Sequence, residues 1–115
     1  LKAYGSRLVP ALASLSITAG TGFTYGAITA KDDWNTDHIE KAAYVVTDDK
    51  LTTVAEFLKA YKADVTASGT IHGALATLSG TTVSQAGLTA GKYLNILAIS
   101  DDGTCELFSQ VAPSA

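Results

Sequence analysis

Polar and apolar residues alternate along the first strand-forming stretch of this chain. Ser14-Leu15-Ser16-Ile17-Thr18-Ala19 puts Leu15 and Ile17 on one face and the hydroxylated residues on the other, which is the period of a half-buried strand. Gly20-Thr21-Gly22 breaks the pattern with turn residues. Phe23-Thr24-Tyr25-Gly26-Ala27 resumes it, with Ile28 extending the run, so the segment predicts a β-hairpin. Residues 42–47, Ala-Ala-Tyr-Val-Val-Thr, predict a short strand that Asp48-Asp49-Lys50 ends. Residues 70–80 read as β-like with Ile71, Leu75 and Leu78 as core candidates, and residues 80–87 as a turn or short strand.

The period changes once. Val54, Phe57, Leu58, Tyr61 and Val65 recur at spacings of three and four, one apolar stripe of a helix over 53–66. Thr53-Val54-Ala55-Glu56 forms a capping box, in which the Thr hydroxyl accepts from an early helical N–H and Glu56 reaches back. Lys59 and Lys62 lie off the stripe toward the C-terminal end, where the helix dipole favours cations, and Ala67-Ser68-Gly69 stops the helix.

Near the C-terminus, Tyr93-Leu94-Asn95-Ile96-Leu97-Ala98-Ile99 is almost continuously apolar, the mark of a central strand covered on both faces. Asp102-Gly103 then predicts a two-residue type I′ hairpin, returning through Thr104-Cys105-Glu106-Leu107-Phe108-Ser109-Gln110-Val111. Segregated strands with one helix give the fold class α+β: a mainly antiparallel sheet of about five or six strands with the helix packed on one face. A β-sandwich with an inserted helix is the alternative. The domain spans residues 14–111, preceded by an arm at 1–13 and followed by a tail at 112–115. In the arm, Tyr4, Leu8, Val9 and Leu12 fit helical spacing loosely, but Gly5 and Pro10 favour an extended segment. Such an arm packs on its own domain or docks on a neighbouring subunit.

Composition narrows the function. The chain has 115 residues, 47% apolar and 17% charged, with a net charge of −3. That is a globular composition of single-domain length. Arg7 is the one Arg and the Lys residues are scattered, so the clustered cations that nucleic acid requires are missing, and no nucleic-acid partner is expected. No stretch is long and apolar enough to suggest membrane insertion. Cys105, the single cysteine, reads as a small strand hydrophobe. The chain begins at Leu1 and contains no Met, which fits a mature product or a piece of a longer chain.

Candidate chemistry gathers in residues 31–41. Asp33-x-Asn35-x-Asp37 opens like a calcium loop, but the sixth position is His38 where Gly is needed and the twelfth is Tyr44 where Glu is needed. Asp-Asp at 32–33, 48–49 and 101–102 reads as punctuation at strand exits. His38 and His72 lack the companions of a zinc site, and no Gly-x-Ser-x-Gly elbow or phosphate-cradling loop is present. The expectation is therefore no enzyme, no catalytic residues, no metal and no cofactor. Trp34, with Asn35, Asp37 and His38 beside it and Tyr25 and Tyr44 as further rings, could form a platform for a sugar. The leading expectation is a self-assembling structural subunit, such as a virion decoration, head or tail component or a surface-filament subunit. It would be extracellular and partnered by itself or by other structural subunits; a small glycan- or surface-binding module using the Trp34 loop is the alternative.

Overall fold

The computed structural model describes residues 9–32, 34–66, 71–75 and 81–113. In chain order the strands are β1 (Ala11–Leu12), β2 (Leu15–Thr18), β3 (Gly22–Tyr25), β4 (Ile28–Thr29) and β5 (Ile39–Thr47). Helix α1 (Val54–Thr66) follows, then β6 (His72–Ala74), β7 (Thr81–Ser84), β8 (Tyr93–Ser100) and β9 (Cys105–Val111). The chain is mainly antiparallel β-sheet with a single short helix, an α+β arrangement. It has nine strands among the described residues, in groups ordered β1-β4, β2-β3-β7 and β6-β5-β8-β9, where the sequence suggested five or six in one sheet. Local alternation finds strands but does not say which of them share a ladder, and the shortest, such as β1 and β4, are below the length at which alternation is visible.

The predicted N-terminal hairpin forms, with Ile17 opposite Phe23 and Thr18 opposite Gly22. It runs further than expected, because β1 pairs β4 through Ala11–Thr29 and Leu12–Ile28. Paired chain thus begins by Ala11, inside the segment assigned to the arm. At the other end, Ala112 of the expected tail is 2% exposed and donates its N–H to the Lys92 carbonyl. Gly22 has φ +148° and lies so close to the Val83 carbonyl that any Cβ would clash, so the hairpin passes β7 only with glycine there.

The four-stranded sheet is covered on both faces. Ala42, Tyr44 and Val46 of β5 with Leu94, Ile96 and Ala98 of β8 face the hairpin layer, meeting Ile17, Phe23 and Tyr25. The alternate residues Val45 and Leu97 face α1 through Phe57, with Val54 and Tyr61 beside it. Phe57 is 1% exposed, and burying a side chain of that size contributes about 2–3 kcal/mol. Tyr44 also meets Phe23 edge-on and donates its hydroxyl to Gln85 Oε1 at 2.8 Å. Burial there raises the phenol pKa above its ordinary value.

The capping box is in place. Thr53 Oγ1 accepts from the Glu56 N–H at 3.1 Å, and Glu56 Oε1 accepts from the N–H groups of Thr52 and Thr53. Those donors, Thr52 first, hold the Glu56 carboxyl below its ordinary pKa. One stripe residue departs from expectation: Leu58 is 53% exposed. The face that meets the sheet is centred on Val54, Phe57 and Tyr61, which leaves Leu58 on the rim of a shallow apolar groove of about 280 Å³ beside Lys41 and Ala74. The Val65 side chain and Leu78 lie outside the described residues.

The β8–β9 connection also differs from the type I′ prediction. Gly103 has φ +90°, but Asp102 does not join it at positive φ. The Gly103 N–H reaches the Ser100 carbonyl and the Ser100 N–H reaches the Thr104 carbonyl, a three-residue loop with glycine in the left-handed position. Asp102 Oδ1 explains the choice: it accepts from the Thr104 N–H at 3.0 Å and from the hydroxyls of Ser100 and Thr104.

Candidate functional site

The segment carrying Trp34 and its neighbours is a small knot between β4 and β5. Lys31 and Asp37 bridge in antiparallel fashion, the Asp32 N–H donates to the Thr36 carbonyl, and the Asn35 N–H donates to the Asp32 carbonyl. Asn35 turns the chain with φ +63°, a conformation Asn tolerates better than most residues. Two carboxylates replace the missing ladder. Asp32 Oδ1 accepts from the N–H groups of Trp34 at 2.8 Å and Thr36 at 3.0 Å. Asp37 Oδ1 accepts from Ala30 at 2.8 Å and Ile39 at 3.1 Å.

His38 closes the knot onto the far end of the sheet. Its Nε2 lies 2.8 Å from Asp32 Oδ2 and its Nδ1 lies 3.1 Å from Asp101 Oδ2, in the β8–β9 loop. The Asp101 N–H donates to the His38 carbonyl as well. An imidazole can donate from both nitrogens only when protonated. The hydrogen bond to Asp32, and then that to Asp101, accordingly raises its pKa above the ordinary 6.5. Asp32 moves the other way, held below 3.8 chiefly by the Thr36 N–H and then by His38. The two carboxylates that face its ring nitrogens favour the protonated imidazole.

All four residues singled out by sequence lie in this knot, but their roles divide. Trp34 is 63% exposed at its tip, with Asn35 exposed beside it. Asp37 and His38 tie the loop down. Tyr25 and Tyr44, at 1% and 5% exposure, belong to the core and cannot join a platform. The alternation that put both tyrosines in strands also puts them on the inner face, so the sugar-stacking surface reduces to one ring. Asp33 lies outside the described residues. His72 is elsewhere: it pairs with Val45, six residues along β5 from Ile39, about 20 Å away. There its Nδ1 bonds Asp64 Oδ2, and Tyr61 meets its ring edge-on at 5.1 Å, fastening the helix to β6.

A second site was not visible as a motif. β9 stands at the end of the four-stranded sheet, and among the described residues no strand pairs with its outer side. The Ala112–Lys92 and Ser100–Thr104 hydrogen bonds fix the phase of the β8–β9 ladder. Even-numbered residues of β9 therefore turn their N–H and C=O toward β8, and Cys105, Leu107, Ser109 and Val111 turn theirs outward. This edge forms the floor of a cleft of about 650 Å³. Residues 107–110 line the floor, Leu12, Ser14 and Leu15 one wall, and residues 50–52 the other. The cleft thus opens between the hairpin layer and the start of α1. Natural edges are commonly guarded by Lys, Pro or a bulge. β9 reads Cys-Glu-Leu-Phe-Ser-Gln-Val, with Glu106 as its single charge, and pairs with β8 without a register shift.

On its inner side β9 is well secured. Asn95, fully buried on β8, donates through Nδ2 to the Val45 carbonyl at 3.1 Å and to Thr47 Oγ1 at 2.9 Å. Its Oδ1 accepts from Ser109 Oγ at 2.7 Å, so one amide links β5, β8 and β9. Cys105 is half-buried at the head of β9, a free thiol packed beside Leu107 and Val45.

No protein-family model matches this sequence, and no curated protein and no solved structure matches it.

Proposed function

We propose that this chain is a non-enzymatic structural subunit that assembles with copies of itself or with other structural subunits, as part of a virion or a cell-surface filament outside the cell. The observation that carries this reading is the outer edge of β9, which lines a cleft and pairs with no strand among the described residues. An edge strand with unpaired outward N–H and C=O groups is a template for another strand, and main-chain pairing supplies affinity without any special side chain. Low charge and small hydroxylated residues leave few like-charge contacts to oppose close packing of subunits. Light scattering on a size-exclusion column across a wide concentration range, with negative-stain imaging of the leading fractions, tests it. Rings, filaments or a defined oligomer are expected; a strict monomer throughout overturns it.

One observation favours a second reading, a module that binds glycans or another surface. Trp34 is the most exposed large hydrophobic residue described, and it stands on a loop whose backbone is held by Asp32 and Asp37. A ring presented on a rigid support loses little freedom when it stacks on a sugar face. Trp34→Ala would abolish binding on a glycan panel and leave the fold intact; an unchanged binding profile would discard this reading.

A further inference from the structure

We infer that His38 is a proton-operated latch between the Trp34 knot and the β8–β9 loop, closed while the imidazole is protonated and opened at its Asp101 contact when the proton leaves. The latch requires neither assembly nor a glycan. It follows from what each form of the ring can do. A protonated ring donates to both carboxylates, from Nε2 to Asp32 and from Nδ1 to Asp101. A neutral ring keeps one N–H, so its other nitrogen would set a lone pair against a carboxylate oxygen, and one of the two contacts must go.

The surroundings select which. Asp32 cannot turn away: its side chain is 6% exposed, and the N–H groups of Trp34 and Thr36 pin its Oδ1, which fixes where Oδ2 points. The Asp101 side chain is 56% exposed, so water can replace the ring there. The Asp32 contact is also the shorter, 2.8 Å against 3.1 Å. The neutral ring therefore keeps its hydrogen on Nε2, and the Asp101 carboxylate turns out to solvent. The Asp101 N–H still holds the His38 carbonyl at 2.8 Å, so the two loops stay hinged at the backbone while the side-chain bond opens.

Of the other charged groups in the two loops, Asp37 accepts from Ala30 and Ile39, Asp102 accepts from the Thr104 N–H and the hydroxyls of Ser100 and Thr104, and Lys31 is exposed at the bridge with Asp37. Asp33 lies outside the described residues. The two carboxylates that face His38, Asp32 first, raise its pKa. The latch is therefore closed below the ordinary 6.5 and opens as pH rises through the elevated folded value. Opening removes the positive charge from between two carboxylates, so the end that displays Trp34 becomes more negative as the loop is released.

NMR of the nitrogen-labelled full chain, read against pH at the imidazole nitrogens and the backbone amides, tests this. The His38 ring should titrate above 6.5, and its neutral form should carry hydrogen on Nε2. The amides of Thr36 in the knot and of Gly103 and Thr104 in the loop should shift at that same midpoint. Asp101→Ala, at an exposed position, should remove most of the shift in the loop. It should also lower the His38 midpoint yet leave it above 6.5, with the knot still responding through Asp32. His38→Gln should remove the response at both loops. A midpoint at or below 6.5, a neutral ring with hydrogen on Nδ1, loop amides that do not follow His38, or an Asp101→Ala profile like that of the unmodified chain would each overturn the inference. Circular dichroism checks that the variants fold; should one fail, the titration of the unmodified chain decides by its midpoint, its tautomer and the loop amides.

Discussion

The Trp34 knot and the outer edge of β9 are both backbone at the margin of a sheet, and they treat their hydrogen-bonding groups in opposite ways. In the knot, Asp32 and Asp37 accept from four backbone N–H groups that no neighbouring strand reaches. Along β9, Cys105, Leu107, Ser109 and Val111 turn theirs outward, with no strand beside them among the described residues. The knot spends charged side chains to finish its own structure and presents a ring. The edge withholds such side chains and presents backbone. The difference teaches that exposure alone does not mark an interface; what matters is whether the polar groups there are already satisfied.

The contrast can be broken from either side. The largest loss of stability is expected at Asn95→Ala, which removes the amide that secures the inner side of β9 and leaves a gap in the core. A cost of about 2–3 kcal/mol should appear as a lower urea midpoint, with amide exchange accelerating first in β9. Next, Asp37→Ala releases the N–H groups of Ala30 and Ile39 and should cost about 1–2 kcal/mol, with faster exchange confined to the knot and no change in subunit assembly.

A smaller, local effect follows pH. The raised pKa of His38 means that its contribution is complete below the ordinary 6.5 and is lost as pH rises through the elevated folded value. Asp32, with its lowered pKa, contributes fully above 3.8 and loses that contribution as pH falls through its folded value. The knot should therefore be tightest between these two ordinary values. Fluorescence anisotropy of Trp34, the single Trp, should fall on the alkaline side, and His38→Gln should flatten that limb. The smallest stability change is expected at Val111→Lys, within about 0.5 kcal/mol because the residue is 45% exposed. Assembly should nevertheless shift to higher protein concentration, since a charge on the outward edge opposes strand addition. Unchanged light scattering would remove the edge from the interface.

The sequence made local structure legible and left the pairing of layers hidden. Thr53 and Glu56 announce the helix start because both partners of the capping box lie within four residues. The hairpin around Gly20 and the strand at 93–99 show through periods that any short window contains. Leu58 misled because periodicity gives a stripe without stating how wide a surface will cover it. The Trp34 platform shrank for a related reason: Tyr25 and Tyr44 needed only a strand to be placed, but a second sheet to be buried. His38 was singled out, yet its partner Asp101 is 63 positions away, and nothing local ties an Asp-Asp turn to a distant histidine. The cleft over β9 was least legible, since an edge is defined by which strand is not beside it.

Asn95 bears on a problem that the surrounding residues create. Leu94, Ile96, Leu97 and Ile99 are similar in size and greasiness, and a strand made only of such residues could align with its neighbours in more than one way at little difference in energy. A shift of one position would turn the amide toward Tyr44 and Phe23, away from its partners. A shift of two would carry it past the Val45 carbonyl and the Ser109 hydroxyl. A single polar group at the centre of the molecule therefore works as an alignment mark, disfavouring every slipped pairing. Were the outer strand to pair with a neighbouring subunit, as proposed above, the mark would make each copy display the same residues in the same order.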